Sequence, residues 1–326
     1  MSAPRFVTVT LNPAIDRVWS APKFQVGSAV RAKLIGSFPA GKGINAAKAF
    51  GAIGDRCVAT GFVGRNELEA FERVLDRAGR GRVVTQLLSV HGKTRENMTI
   101  TDPVLDTETH IRDRGFNVAR ADVRRMLSKV GLLAREDNVV IFGGSAPPGV
   151  IPGDIRSMLH RVNEQGAYSV VDTSGPALQI VRRERVWMLK LNLSELAEIA
   201  GEVKDEEHAL VETCRGLLRQ DGGKQGADVV VVTRGPAGAV LVTRDGTSHW
   251  ARTMVHPGRI VSTVGCGDAL LAGLLHEWGR TRDWASAIRR GAAVATANAV
   301  GSEPGFVDTQ DVSEFWAATT VEAIGG

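Results

Sequence analysis

The chain has 326 residues, 43% of them hydrophobic and 23% charged, which suits a soluble globular protein with a large core and excludes a disordered one. No apolar stretch is long enough to span a membrane, and the scattered Cys57, Cys214 and Cys266 form neither a disulfide framework nor a zinc site. The net charge of +4 comes from basic residues spread along the chain, and one tyrosine leaves little to stack on bases, so no nucleic-acid partner is expected.

The first apolar run, residues 6–11, is too short and too soon followed by Asn12-Pro13 and Asp16 to be a signal peptide. A cytoplasmic protein is expected. That run, and those at 58–63, 139–142, 169–171, 187–191, 229–233 and 240–242, are short and often β-branched, and read as buried strands. Between them, 43–53, 67–78, 121–134, 153–165, 193–200 and 206–220 carry the amphipathic period of helices. The alternation predicts an α/β fold with a mostly parallel sheet and helices on both faces. Segments 17–37 and 93–116 break the pattern, being polar with strand-like pieces at 98–101 and 109–112. They are expected to leave the main sheet as a lid inserted in one domain spanning 1–326. From Gly267 onward the pattern is mostly helical, at 269–278 and 284–300.

Two glycine-punctuated segments carry chemistry. Val264-Gly265-Cys266-Gly267-Asp268 leads into a helix expected to start near Ala269. A helix start offers free N–H groups and the positive end of a dipole, which suit phosphate. Asp268 at that mouth could take a proton from an attacking hydroxyl, or could merely cap the helix. The second segment is Ala40-Gly41-Lys42-Gly43-Ile44-Asn45, which lacks both the Walker Gly-Lys-Ser/Thr ending and the third glycine of a dinucleotide loop. The seven histidines show no paired ligand spacing. The tryptophans read as packing.

Together these segments resemble the paired signatures of the ribokinase or PfkB carbohydrate kinase family. Thr10-Leu11-Asn12-Pro13-Ala14-Ile15-Asp16, Thr94-Arg95-Glu96-Asn97 and Gly143-Gly144-Ser145-Ala146-Pro147-Pro148-Gly149 are similar to its 1-phosphofructokinase and tagatose-6-phosphate kinase branch. So are Asp172-Thr173-Ser174-Gly175, Lys190-Leu191-Asn192-Leu193-Ser194-Glu195 and Thr233-Arg234-Gly235-Pro236-Ala237-Gly238. Cys266 stands where the family has Ala or Ser, and 110–116 departs from its Asn and Pro-Gly pattern by adding Arg112 and Arg114.

The resemblance implies a ribokinase-like three-layer α/β/α fold with a small β-sheet lid. It implies Asp268 as catalytic base, with the backbone of Gly265, Cys266 and Gly267 as an anion hole. Asp16, Gly41, Lys42, Asn45, Arg95 and Ser145 would bind a sugar phosphate. Lys190, Asn192, Glu195, Thr233, Gly235 and Gly238 would serve ATP, with Asn192 and Glu195 organising Mg2+ through water. Fructose 1-phosphate is the first-choice acceptor, with tagatose 6-phosphate and fructose 6-phosphate as alternatives and a non-catalytic sugar-phosphate sensor as the reading from another class. A homodimer through the lid is expected.

Overall fold

The computed structural model describes residues 5–219, 223, 225–301 and 303–325. The reading of residues 1–4 and of Gln220 lies outside them.

The strands are β1 (Phe6–Thr10), β2 (Ala14–Ser20), β3 (Lys33–Ala40), β4 (Cys57–Gly64), β5 (Val83–Val90), β6 (Arg95–Asp102), β7 (Thr107–Ile111), β8 (Val139–Gly143), β9 (Tyr168–Asp172), β10 (Arg185–Asn192), β11 (Gly226–Thr233), β12 (Ala239–Thr243), β13 (Ser248–Thr253) and β14 (Thr319–Ala323). The helices are α1 (Lys42–Ala52), α2 (Leu68–Ala78), α3 (Arg120–Leu133), α4 (Pro152–Glu164), α5 (Pro176–Val181), α6 (Leu193–Ala200), α7 (Glu207–Arg215), α8 (Cys266–Thr281), α9 (Trp284–Val300) and α10 (Thr309–Ala317).

Ten strands form one sheet in the order β14-β13-β12-β11-β10-β9-β8-β1-β4-β5. From β11 to β5 every neighbouring pair is parallel, and the three pairings from β11 to β14 are antiparallel. The central strands are buried on both faces, as the Val-rich runs of β1 and β11 require. One face packs under α1, α2, α8 and α9, around Ile44, Phe50, Phe71, Leu274 and Val294. The other is covered by two further clusters, one with Leu178, Leu196 and Leu210, the other with Val123, Met126 and Met158. The layers are those of a ribokinase-like α/β/α fold.

The second sheet, in the order β3-β2-β6-β7, comes from the two segments that broke the alternation. Cross-strand register places Asp16 beside Asn97 and Ala14 beside Arg95, so Asp16, Arg95 and Asn97 share one face. The opposite face takes Trp19, Leu34, Met98, Ile100 and Ile111. Leu34, Met98 and Ile111 are exposed there.

Strands β5 and β13 and helices α5 and α10 were not expected, and three further elements differ in extent or type. Helix α8 begins at Cys266, with Gly265 as its N-cap in the left-handed region at φ 79°. Asp268 is therefore inside the first turn and is not the cap. Helix α7 stops at Arg215, because the chain turns at Gly216 and runs back to pair Arg219 N–H with the Ala227 carbonyl at 2.7 Å. The helical C-terminal third also contributes β14, which extends the sheet beyond β13. At the far end of the strands from their carboxyl ends, Tyr168, Trp187, Trp278 and Trp284 stack as one aromatic cluster, which accounts for those tryptophans as packing.

Candidate active site

The carboxyl ends of β1, β8, β9, β10 and β11 and the N-termini of α1, α6 and α8 converge on one cleft, as in other open parallel sheets. Asp268 is at its centre, only 6% exposed. Burial first, and then repulsion from Asp172, push its carboxyl up to about 7, against the pull of Lys190, Lys42 and a hydrogen bond from Asn45. That hydrogen bond, Asn45 Nδ2 to Asp268 Oδ2, is 2.9 Å long. The two glycine-punctuated segments, more than two hundred residues apart in sequence, thus touch directly.

Beside Asp268 runs a chain of alternating charges. Lys190 Nζ donates to Asp172 Oδ2 at 2.7 Å, and Lys42 Nζ donates to Asp172 Oδ1 at 2.6 Å and to Glu195 Oε1 at 2.8 Å. Burial alone would raise the Asp172 carboxyl, but the two ammonium groups overcome it and hold it at about 2. Burial likewise opposes the charge on Lys42, yet Asp172 and Glu195 keep that lysine firmly protonated. The two lysines and two carboxylates neutralise one another. Asp268 is left as the buried carboxylate of the cleft without an ion pair among the described residues, and it titrates near the pH at which a general base works best.

Two glycines at the start of α8 have steric reasons. Gly265 adopts φ 79°, where a side chain is strained, and a Cβ there would sit 3.1 Å from Pro304. A Cβ on Gly267 would lie 2.9 Å from Lys190 Nζ, so the lysine occupies the space beside the helix mouth. The N–H groups of Gly267 and Asp268 have no backbone acceptor among the described residues, whereas Cys266 N–H closes a turn on the Thr263 carbonyl at 3.3 Å. Burial pushes the Cys266 thiol up to about 11, so it is an inert small residue at neutral pH.

Asn192 caps α6, accepting from Glu195 N–H at 2.8 Å, while Glu195 Oε2 accepts from Asn192 N–H at 2.9 Å. This is a capping box. Among the described residues no group of three or more His, Cys, Asp or Glu is arranged to cage a metal. The Glu195 carboxylate keeps lone pairs beyond its bonds to Asn192 and Lys42. The pair therefore fits a magnesium ion held through water and phosphate oxygens, the mode that ion favours.

On the lid's inner face Asn97 Nδ2 donates to Asp16 Oδ1 at 2.8 Å. The Arg95 guanidinium donates to the carbonyls of Pro13 at 3.3 Å and Asp113 at 3.5 Å. It makes no ion pair among the described residues, and burial lowers its pKa. Ser145 lies 3.4 Å from Asn12 Nδ2, which also holds the Arg114 carbonyl. Gly41 is the N-cap of α1. Thr233, Gly235 and Gly238 form the turn after β11, beside Asn192 in register. Among the described residues no hydrogen bond joins them to Asp268.

Sequence reasoning gave no role to Asp172, Lys48 or Asn298. Asn298, 1% exposed, donates to Val264 O at 2.9 Å and accepts from Gly305 N–H at 2.7 Å, which fixes the turn before α8. The usable signal was a polar residue set between alanines in a largely apolar helix, at Lys48 in α1 and Asn298 in α9.

The pfkB family carbohydrate kinase model matches residues 9–306. The chain belongs to the pfkB family of carbohydrate kinases. As a pfkB kinase it is a phosphotransferase with an alcohol group as acceptor, in a family that uses ATP. It is 29% identical to the 1-phosphofructokinase of Escherichia coli strain K12, covering 98% of each chain. It is 31% identical to the 1-phosphofructokinase of Rhodobacter capsulatus, over 91% of this chain and 90% of that one. Phosphofructokinase-2 from Escherichia coli, in complex with substrates and products, shares the pfkB fold at TM-score 0.85 and 22% identity, over 96% of this chain and 98% of that one. Among the described residues no helix is long and apolar enough to cross a membrane.

Proposed function

We propose that the chain phosphorylates a ketohexose monophosphate with ATP, converting fructose 1-phosphate to fructose 1,6-bisphosphate. The observation that carries this reading is Arg95, a half-buried cation on the face bearing Asp16 and Asn97, which among the described residues feels the fields of Asp16 and Asp113 but hydrogen-bonds to backbone carbonyls and forms no ion pair. Lys42 is already matched by Asp172 and Glu195, so the case for an anionic acceptor rests on Arg95. The names of the two 1-phosphofructokinase relatives support the choice of sugar.

Asp16 and Asn97 offer an acceptor and a donor to the sugar hydroxyls, and Arg95 pairs with the acceptor's own phosphate. Asp268 takes the proton as the acceptor O–H bond breaks and the new O–P bond forms, while the bond from the γ-phosphorus to the β-bridging oxygen breaks and ADP leaves. The N–H groups of Gly267 and Asp268, the α8 dipole and Lys190 stabilise charge on the transferring group. Asn192 and Glu195 would hold Mg2+ through water, and the ion would supply charge neutralisation on the triphosphate. Thr233, Gly235 and Gly238 border the nucleotide. The exposed apolar outer face of the lid supports a homodimer formed through that sheet.

Arg95→Gln tests the acceptor. It should raise KM for the phosphorylated sugar about a hundredfold, with KM for ATP unchanged. Equal KM values for the sugar in the two proteins would remove the main support for a phosphorylated acceptor.

A further inference from the structure

Lys48 lies one turn after Asn45 on α1 and is 1% exposed. It makes no ion pair among the described residues. Its ammonium donates to Pro39 O at 2.9 Å, to Pro304 O at 3.2 Å and to Asn45 Oδ1 at 3.4 Å. An ammonium has three donors, and each goes to an uncharged oxygen. A buried charge with no counter-ion is costly, so its retention calls for a reason. Burial pulls its pKa down to about 8, against the favourable fields of Glu303, Asp16 and Asp268, while Arg77 adds to the lowering.

The three acceptors show what the charge does. Pro39 lies at the root of the lid strand β3, just before the N-cap of α1. Pro304 backs the anion hole, next to Gly265. Asn45 is the residue that hydrogen-bonds the base. An asparagine amide has a donor end and an acceptor end, and only the donor end can face a carboxylate. With an ammonium at its Oδ1, Asn45 must present Nδ2 to Asp268.

We infer that Lys48 is a positioning residue, whose buried ammonium fixes the Asn45 amide toward Asp268 and pins the lid root and the loop behind the anion hole on either side of it. The inference rests on the assignment of Asp268 as base. Without the ammonium the Asn45 amide is free to turn, and Asp268 loses both a donor and a nearby positive charge. Each loss disfavours its ionised form. The base must be ionised to work, so the acid limb of the kcat profile moves to higher pH.

The test uses the full chain with Lys48→Met, which keeps volume without charge, Lys48→Gln, which keeps a donor without charge, and Lys48→Arg, which keeps the charge. The Met and Gln variants should lose about tenfold in kcat near pH 7 and recover most of it near pH 9, with KM for ATP unchanged; Arg should restore the parental limb. Carbon-13 NMR titration of the Asp268 carboxyl, without any acceptor, should show the same upward shift. The titration separates this claim from the choice of sugar: a protein inactive on every ketohexose phosphate refutes the acceptor and leaves the NMR comparison decisive. Should Met fail to fold, Gln carries the test. An Asp268 titration that does not move in a folded, uncharged variant overturns the role of Lys48.

Discussion

Asp268 and Asp172 occupy the same cleft, yet their surroundings drive them apart, one up to about 7 and the other down to about 2. The difference is partnership: Asp172 holds two ammonium groups, whereas Asp268 has an amide and a like-charged neighbour. Asp268→Asn should cut turnover about 10²–10⁴-fold and leave ATP binding intact. It also carries a stability signature. The folded value lies above the ordinary 3.8, so the stability that Asp268 contributes is present at low pH and lost as pH rises through about 7. Asp268→Asn should abolish that loss and raise Tm at about pH 8 by roughly 2–6 °C, measured by calorimetry at several pH values. Asp172 has the opposite sign. Its contribution is present above the ordinary 3.8 and lost as pH falls through about 2. Asp172→Ala strands Lys190 in the interior and should cost about 3–5 kcal/mol, read from chemical denaturation.

At the scale of elements, the start of α8, where we place the phosphoryl transfer, is held from outside itself. Asn298 of α9 fixes the turn of Val264 and Gly305, and Lys190 of β10 sits beside Gly267. Asn298→Ala should lower stability by about 2 kcal/mol, since it orphans the buried Gly305 N–H, and should lower kcat more than it raises either KM. The inner parallel strands and most helices were legible, because double-sided burial writes long apolar runs and helical burial writes a 3.6 period. The edge strands β5 and β14, and β13 beside the latter, were not, because their half-exposed sequences lack that run. In the site, glycine punctuation exposed Gly265, Gly267, Gly41 and Asp268. The weight of Asp172, Lys48 and Asn298 comes largely from partners that only the fold brings to them, Lys42 for Asp172, Pro304 for Lys48 and Val264 for Asn298. Asn192 and Glu195 were found by resemblance, and the capping box shows a local reason for the same pair.

At the scale of the whole molecule, a broad sheet carries a preformed charge network, and a small sheet gathers Asp16, Arg95 and Asn97 on one face. One face of the small sheet carries Asp16, Arg95 and Asn97, and the other carries exposed Leu34, Met98 and Ile111 together with the Arg17–Glu96 ion pair. If the outer face is the dimer contact, Ile111→Asp should convert a dimer to a monomer by light scattering, and the parent should be dimeric in the same measurement. The central claim, a kinase for an already phosphorylated ketohexose, is tested most directly by ADP release with fructose 1-phosphate, fructose 6-phosphate, tagatose 6-phosphate, fructose and ribose in parallel. Fructose 1-phosphate is predicted to give the highest kcat/KM; turnover confined to free fructose or ribose would contradict the account.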